Sequence, residues 1–211
     1  MTQLDSDLSL SLAKTLDPEV TKKSYKKGSF LYHMGESPSG LFLIYSGLVG
    51  LFNSSSDGKD HLFRIFGKGQ WLGHRTLIAG DTYHTSAKVL EDSEIGFVSK
   101  ARTSQLLIDN MDFNSAMIKK LAVELGQAEM RLAASFDKQV AQRVAEAMLY
   151  LKETYPDHKW TRNEIAYYCG STGPTVIRTL ALFQQKGFIE QTGREIEILD
   201  KKALKSFAEG P

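Results

Sequence analysis

Towards the C-terminus several residues have types and spacings that could do chemistry. Thr161 and Glu164 are spaced as a capping box ahead of Ile165 and Ala166. Such a box needs a hydroxyl acceptor and a carboxylate three residues on, each satisfying a free amide at a helix start. Arg162 and Asn163 open that helix, which stops at Cys169-Gly170. Ser171-Thr172-Gly173-Pro174 starts a second helix. Thr172 is its capping candidate, and Pro174 is tolerated in a first turn. Val176, Ile177, Leu180 and Phe183 continue it to Gly187, a helix-ending glycine. Arg178 stands on this second helix. No paired carboxylates, nucleophile elbow, phosphate loop or metal motif accompanies these residues, so no catalytic residue or metal ligand is assigned and no enzyme is expected.

The composition sets outer limits. The chain has 211 residues, 42% apolar and 24% charged, close to the average of folded globular proteins. That length can bury a core without metal or disulfide support. The single cysteine, Cys169, excludes an internal disulfide, an iron–sulfur cluster ligated by cysteines of one chain, and a multi-cysteine zinc site. No run of roughly 18 apolar residues occurs, so no membrane span is expected. The polar, acidic N-terminus reads as no signal peptide, and a cytoplasmic protein is the default expectation. Net charge is +1. Residues 1–137 carry 15 Lys/Arg against 16 Asp/Glu, and residues 138–211 carry 11 against 9, a faint basic bias that decides nothing alone.

Three kinds of element must position these residues. Between residues 24 and 100, short runs rich in Phe, Tyr, Ile, Leu and Val recur between turn signals, as in a small antiparallel barrel or sandwich. Phe30–Tyr32, Leu41–Tyr45, Leu48–Phe52 and His61–Phe66 read as strands, with Asp57-Gly58 as a hairpin turn. Ser86–Leu90 and Glu94–Val98 read as a last strand pair. From Asp112 to Phe136 a long helix carries Ile118, Leu121, Leu125, Ala128 and Leu132 at steps of three and four, a heptad seam suited to helix pairing. Phe113, Met117 and Met130 lie off the seam and could cover the barrel instead. Asp137 is the candidate cap of a helix from Lys138 to Thr154. A hairpin around Gly193 and a short helix capped by Asp200 close the chain. Helix, short turn, helix and hairpin form the winged helix-turn-helix plan, with a small α+β domain of another kind as the competing reading.

The pattern from Thr161-Arg162-x-Glu164-Ile165-Ala166 through Gly170, Thr175-Val176-x-Arg178-x-Leu180 and Gly187-x-Ile189 to Gly193 and Ile196 resembles the helix-turn-helix signature of Crp–Fnr transcription regulators. Gly28, Gly35-Glu36, Tyr45-x-Gly47, Asp57-Gly58 and Gly69-x-x-x-Gly73 resemble the double-stranded β-helix of the cyclic-nucleotide-binding superfamily. The implied fold class is α+β. A jelly-roll effector barrel would occupy residues 1–110, a dimerisation helix 111–136, and a winged helix-turn-helix domain 137–211.

The resemblance implies a sequence-specific DNA-binding regulator acting as a homodimer on a palindromic operator, with RNA polymerase as a further partner. It places base readers at Gly173, Pro174 and Arg178. Gly173 and Pro174 depart from the family's polar pair and offer no side-chain hydrogen bond. Thr172 and Thr175 are left to meet a phosphate or a thymine methyl, and Arg162 and Asn163 to hold phosphates. The effector loop reads Gly73-His74-Arg75, then Thr85-Ser86. His74 replaces the family's ribose-binding Glu, and Thr85 replaces its phosphate-binding Arg. Cyclic AMP in its usual pose would bury a phosphate without a cation, so a different effector is expected, of unknown identity. A haem reading would need an axial ligand such as His74. The alternative is a ligand-binding module that acts on a protein partner with lost or altered DNA readout.

Overall fold

The computed structural model describes residues 20–54 and 60–210. Backbone contacts divide the chain into two units, residues 1–59 with 63–128 and residues 60–62 with 129–211.

Among the described residues the barrel has eight strands: β1 (Thr21–Tyr25), β2 (Phe30–Tyr32), β3 (Gly40–Ser46), β4 (Val49–Ser54), β5 (Asp60–Phe66), β6 (Trp71–Leu72), β7 (Ser86–Val89) and β8 (Ser93–Ser99). They form two four-stranded sheets with orders β1-β8-β3-β6 and β2-β7-β4-β5. This interleaving is the jelly-roll solution to unpaired sheet edges. Strands β7 and β8 therefore do not pair with each other, contrary to the expectation for Ser86–Leu90 and Glu94–Val98. The Gly28 and Leu90 amides bond to Val89 and Leu48 carbonyls at the end of β7, and from Ser93 onward the chain pairs with β1 and β3 instead. The Asp57-Gly58 turn lies outside the described residues, although β4 and β5 are neighbours in their sheet.

Strand β3 shows why this half reads as apolar runs rather than strict alternation. Phe42 and Ile44 join one buried cluster with Tyr32, Val49 and Phe66. Leu41 and Leu43 join another with Trp71, Leu106, Phe113 and Met117. A strand covered on both faces needs apolar residues at every position.

Three helices follow or interrupt the strands: α1 (His74–Ala79), α2 (Lys100–Asp109) and α3 (Met111–Asp137). Helix α3 has 27 residues and is about 40 Å long at 1.5 Å per residue. Phe113, Ala116, Met117, Lys120 and Glu124 are its buried residues. Phe113 and Met117 thus cover the barrel, whereas Met130 is exposed.

The C-terminal unit contains α4 (Val140–Thr154), α5 (Arg162–Tyr168), α6 (Gly173–Gln185), β9 (Ile189–Thr192), β10 (Glu195–Ile198) and α7 (Lys201–Glu209). Val144, Met148, Leu151, Ile165, Leu180 and Phe183 are fully buried in it. Asp137 does not cap α4. It still belongs to α3, and Gln139 caps α4, its amide donating to Gln142 Oε1 at 2.8 Å. Asp200 does cap α7, accepting from the Ala203 amide at 2.8 Å.

Candidate DNA-reading surface and barrel effector loop

The capping box forms as its spacing requires. The Glu164 amide donates to Thr161 Oγ1 at 3.2 Å, and the Thr161 amide donates to Glu164 Oε2 at 2.8 Å. Behind it the buried His158 places Nε2 3.5 Å from Glu164 Oε1. Burial alone would push the Glu164 carboxyl up, but the His158 and Thr161 hydrogen bonds hold it below its ordinary value. Helix α5 is thereby fixed at its start. It ends at Gly170, whose positive φ of 62° suits a residue without Cβ.

Helix α6 buries Val176, Thr179, Leu180 and Phe183 and turns Pro174, Ile177 and Arg178 outward. Positions separated by three and four residues share one helix face. Thr172 occupies the N-cap position, but its hydroxyl pairs with Thr175 Oγ1 at 3.0 Å and caps no amide. Arg178 Nη2 donates to the same Thr175 hydroxyl at 3.2 Å, which lays the guanidinium along the first turns. A Cβ on Gly173 would stand 3.0 Å from Asn163 Oδ1, so glycine lets α6 start close against α5. Asn163 itself is exposed.

Arg162 has partners within the fold. Its Nη2 donates to Gln191 Oε1 at 2.8 Å and to the Gly193 carbonyl at 3.2 Å. Gln191 Nε2 in turn donates to Gln184 Oε1 at 2.9 Å. The guanidinium thus ties the β9–β10 hairpin to the start of α5 and, through Gln191, to the end of α6. Ile177 was not singled out by sequence reasoning because it fits the helix's apolar stripe, yet it is 52% exposed. Cys169 is buried, and burial pushes its thiol up to about 11, so it is inert at neutral pH.

The expected effector loop is built around Gly73. Its φ is 93°, and a Cβ there would stand 2.7 Å from the Gly40 carbonyl. Next to it His74 is buried at the start of α1. Its Nε2–H donates to Glu124 Oε2 at 2.9 Å. Arg64 Nη1 lies 2.6 Å from that same oxygen, and Lys120 Nζ lies 3.1 Å from Glu124 Oε1. The side chains of His74, Lys120 and Glu124 are 3%, 5% and 6% exposed, and that of Arg64 24%. Burial pushes the His74 imidazole below its ordinary value despite the carboxylate beside it. Burial alone would raise the Glu124 carboxyl, but His74 and Arg64 hold it well below the usual carboxylate range. The other expected loop residues do not join this cluster through any hydrogen bond. Arg75 is exposed, Thr85 is half-buried, and Ser86 Oγ accepts from the Met34 amide at 3.0 Å.

Arg64, Lys120 and Glu124 were missed by sequence reasoning. The signal was available on α3. Phe113, Met117, Lys120 and Glu124 are separated by four, three and four residues, so two charges share an otherwise apolar stripe. The seam residues lie elsewhere on that helix. Ile118, Leu125, Ala128 and Leu132 are exposed, and Leu121 is half-buried.

An antiparallel jelly roll, a long helix and a helix-turn-helix with trailing hairpin define a DNA-binding transcription regulator. Residues 22–110 match the cyclic nucleotide-binding domain family, and residues 142–207 match the Crp-like helix-turn-helix domain family. The chain belongs to the Crp–Fnr family of regulators. It is 28% identical over 205 residues to the anaerobic regulatory protein of Bacillus subtilis, covering 91% of this chain and 86% of that one. It is 24% identical over 203 residues to a CRP-like cAMP-activated global transcriptional regulator of Mycobacterium tuberculosis, covering 92% and 89%. A solved transcriptional regulator of the Crp/Fnr family from Eubacterium rectale shares the fold, with a TM-score of 0.80 at 18% identity and coverage of 99% and 98%. Among the described residues no helix is long and apolar enough to cross a membrane.

Proposed function

We propose that this chain is a homodimeric, sequence-specific regulator that reads a palindromic operator and is gated by a small effector other than cyclic AMP in its usual pose. The division of labour is a barrel over residues 1–110, a dimerisation helix over 111–136 and a reading head over 137–211. RNA polymerase is the further partner, in the cytoplasm. The observation that carries the reading is the outward face of α6, where Arg178 stands exposed and steered by Thr175. In the groove Arg178 takes a guanine. Thr172, Gly173, Pro174 and Thr175 at the helix start approach base edges or backbone, and exposed Asn163 approaches a phosphate. Arg162 supports the hairpin.

Cyclic AMP is disfavoured by the loop itself. Residue 85 is an uncharged threonine, and His74 already holds a carboxylate. In vitro selection from a random duplex library, with purified effector-free protein near physiological salt, tests the reading. Enrichment of an inverted repeat with half-sites about one helical turn apart is expected.

The second reading, a module that regulates a protein partner, is favoured by Gly173 and Pro174, which lack hydrogen-bonding side chains. It predicts no duplex binding that falls steeply with salt, because it releases no counterions from phosphates.

A further inference from the structure

Arg64, His74, Lys120 and Glu124 form a buried charged cluster in the barrel unit. We infer that Glu124 is a built-in anionic ligand of the barrel. The long helix carries its own carboxylate into a cation-lined seat, and that seat is a binding site for a small carboxylate. The inference rests on the reading of the chain as a dimeric DNA-binding regulator.

Donors from three elements converge on this one carboxylate: Arg64 from β5, His74 from α1 and Lys120 from α3. Burying a charge is costly unless it is paired and hydrogen-bonded. A carboxylate withdrawn from this seat would leave cations in an apolar barrel, so the seat is stable when filled and unstable when empty. One further feature marks it as a ligand seat rather than a simple ion pair: Arg64 and Lys120, two cations, share a single carboxylate. A carboxylate only accepts, so Nε2 of His74 carries the proton. Arg64, the most exposed member, is the side from which a solute reaches the seat.

The seat lies beside the dimer seam. At 100° per residue, the stripe through Phe113, Met117, Lys120 and Glu124 and the stripe through Ile118, Leu125 and Leu132 are centred roughly 100° apart around one helix. A seated Glu124 fixes the rotation of α3 against the barrel and thereby the direction of its seam. An anionic effector gates the chain by displacing Glu124, so its binding and the seating of Glu124 exclude each other.

Removing the carboxylate and returning it from solution tests this. Glu124→Ala opens a seat that formate fits. Formate, titrated against chloride at constant ionic strength, should raise the melting temperature of Glu124→Ala and leave the wild type nearly unchanged. Affinity of Glu124→Ala for the selected duplex should change by about 5- to 150-fold, the usual range of coupling between sites, and formate should restore it. A folded Glu124→Ala that ignores formate, or that binds duplex as the wild type does, overturns the inference. Glu124→Gln keeps the volume and decides the matter if the alanine variant does not fold. It should show the altered duplex affinity without formate rescue, and affinity equal to wild type would refute the coupling. If the wild type binds no duplex at all, the DNA-binding reading fails, while the formate-dependent melting shift still judges the seat.

Discussion

The proposed dimer should dissociate when Leu125 is replaced with Glu. Ile118, Leu125 and Leu132 are 62%, 61% and 58% exposed along α3, an unusual cost for three large apolar side chains on one stripe. Fully burying such a side chain contributes about 1.5–3 kcal/mol, so three-fifths of one leaves about 1–2 kcal/mol to gain. Three residues on each of two helices give about 6–12 kcal/mol of gross stabilisation. Association costs about 4–15 kcal/mol, so no single position is dispensable. In a dimer built on this stripe, Leu125→Glu removes two copies of that contribution, about 2–4 kcal/mol, and adds two like charges to the interface. At 1.4 kcal/mol per tenfold, the dimer dissociation constant should rise roughly thirty- to a thousandfold. Sedimentation equilibrium over a concentration series reads this directly. Met130→Glu is the control, because Met130 is exposed on the far side of the helix from the seam. A dimer constant unchanged by Leu125→Glu, or disturbed equally by Met130→Glu, would refute the seam.

Three other sites give distinct outcomes. Arg178→Ala should weaken the selected duplex by about 1–3 kcal/mol and relax preference at one guanine, measured by competition against single-base variants; loss spread evenly over all sequences would make Arg178 a phosphate contact. Exposed Ile177 beside it should read a thymine methyl, so deoxyuridine in place of one thymine should weaken wild type but not Ile177→Ala. Arg162→Ala should lower affinity by freeing the hairpin while leaving the slope of log affinity against log salt unchanged, whereas a slope lowered by about one would restore the phosphate role. Acidification should destabilise the barrel. The unfolded chain takes up a proton near pH 6.5 that buried His74 resists, and another near the ordinary Glu value that Glu124 resists. Stability is therefore fully present above about pH 6.5 and falls below it; thermal melts that rise between pH 7 and pH 5 would contradict the His74 assignment.

Much of the C-terminal half was legible because its determinants are local. The Thr161–Glu164 box, the glycines after α5 and α6 and the Asp200 cap each act within a few residues. The failures there were also local competitions. Gln139 with Gln142 displaced Asp137 as a cap, and Thr172 gave its hydroxyl to Thr175. In the barrel, strands were legible from composition, but their partners were not. Pairing β8 with β3 and β1 instead of β7 is a long-range choice that no turn signal encodes. Arg162 reads as a free cation at a helix start, and only the fold brings Gln191 and the Gly193 carbonyl to it.

Helix α3 shows how far pattern can reach. Its exposed apolar stripe was legible because residues at steps of three and four need no knowledge of what covers them. Its second stripe was half visible, since Phe113 and Met117 pointed to the barrel while Lys120 and Glu124, four apart, looked like an ordinary surface pair. An exposed pair of that kind contributes little. The same pair facing a buried histidine and an arginine from the barrel is a different object, because removing either partner leaves an uncompensated buried charge. The discriminating information was the continuation of the Phe113–Met117 stripe through positions 120 and 124. A charge that extends the buried stripe of a helix must meet its partner in whatever covers that stripe. On this helix that meeting place is the loop expected to receive an effector.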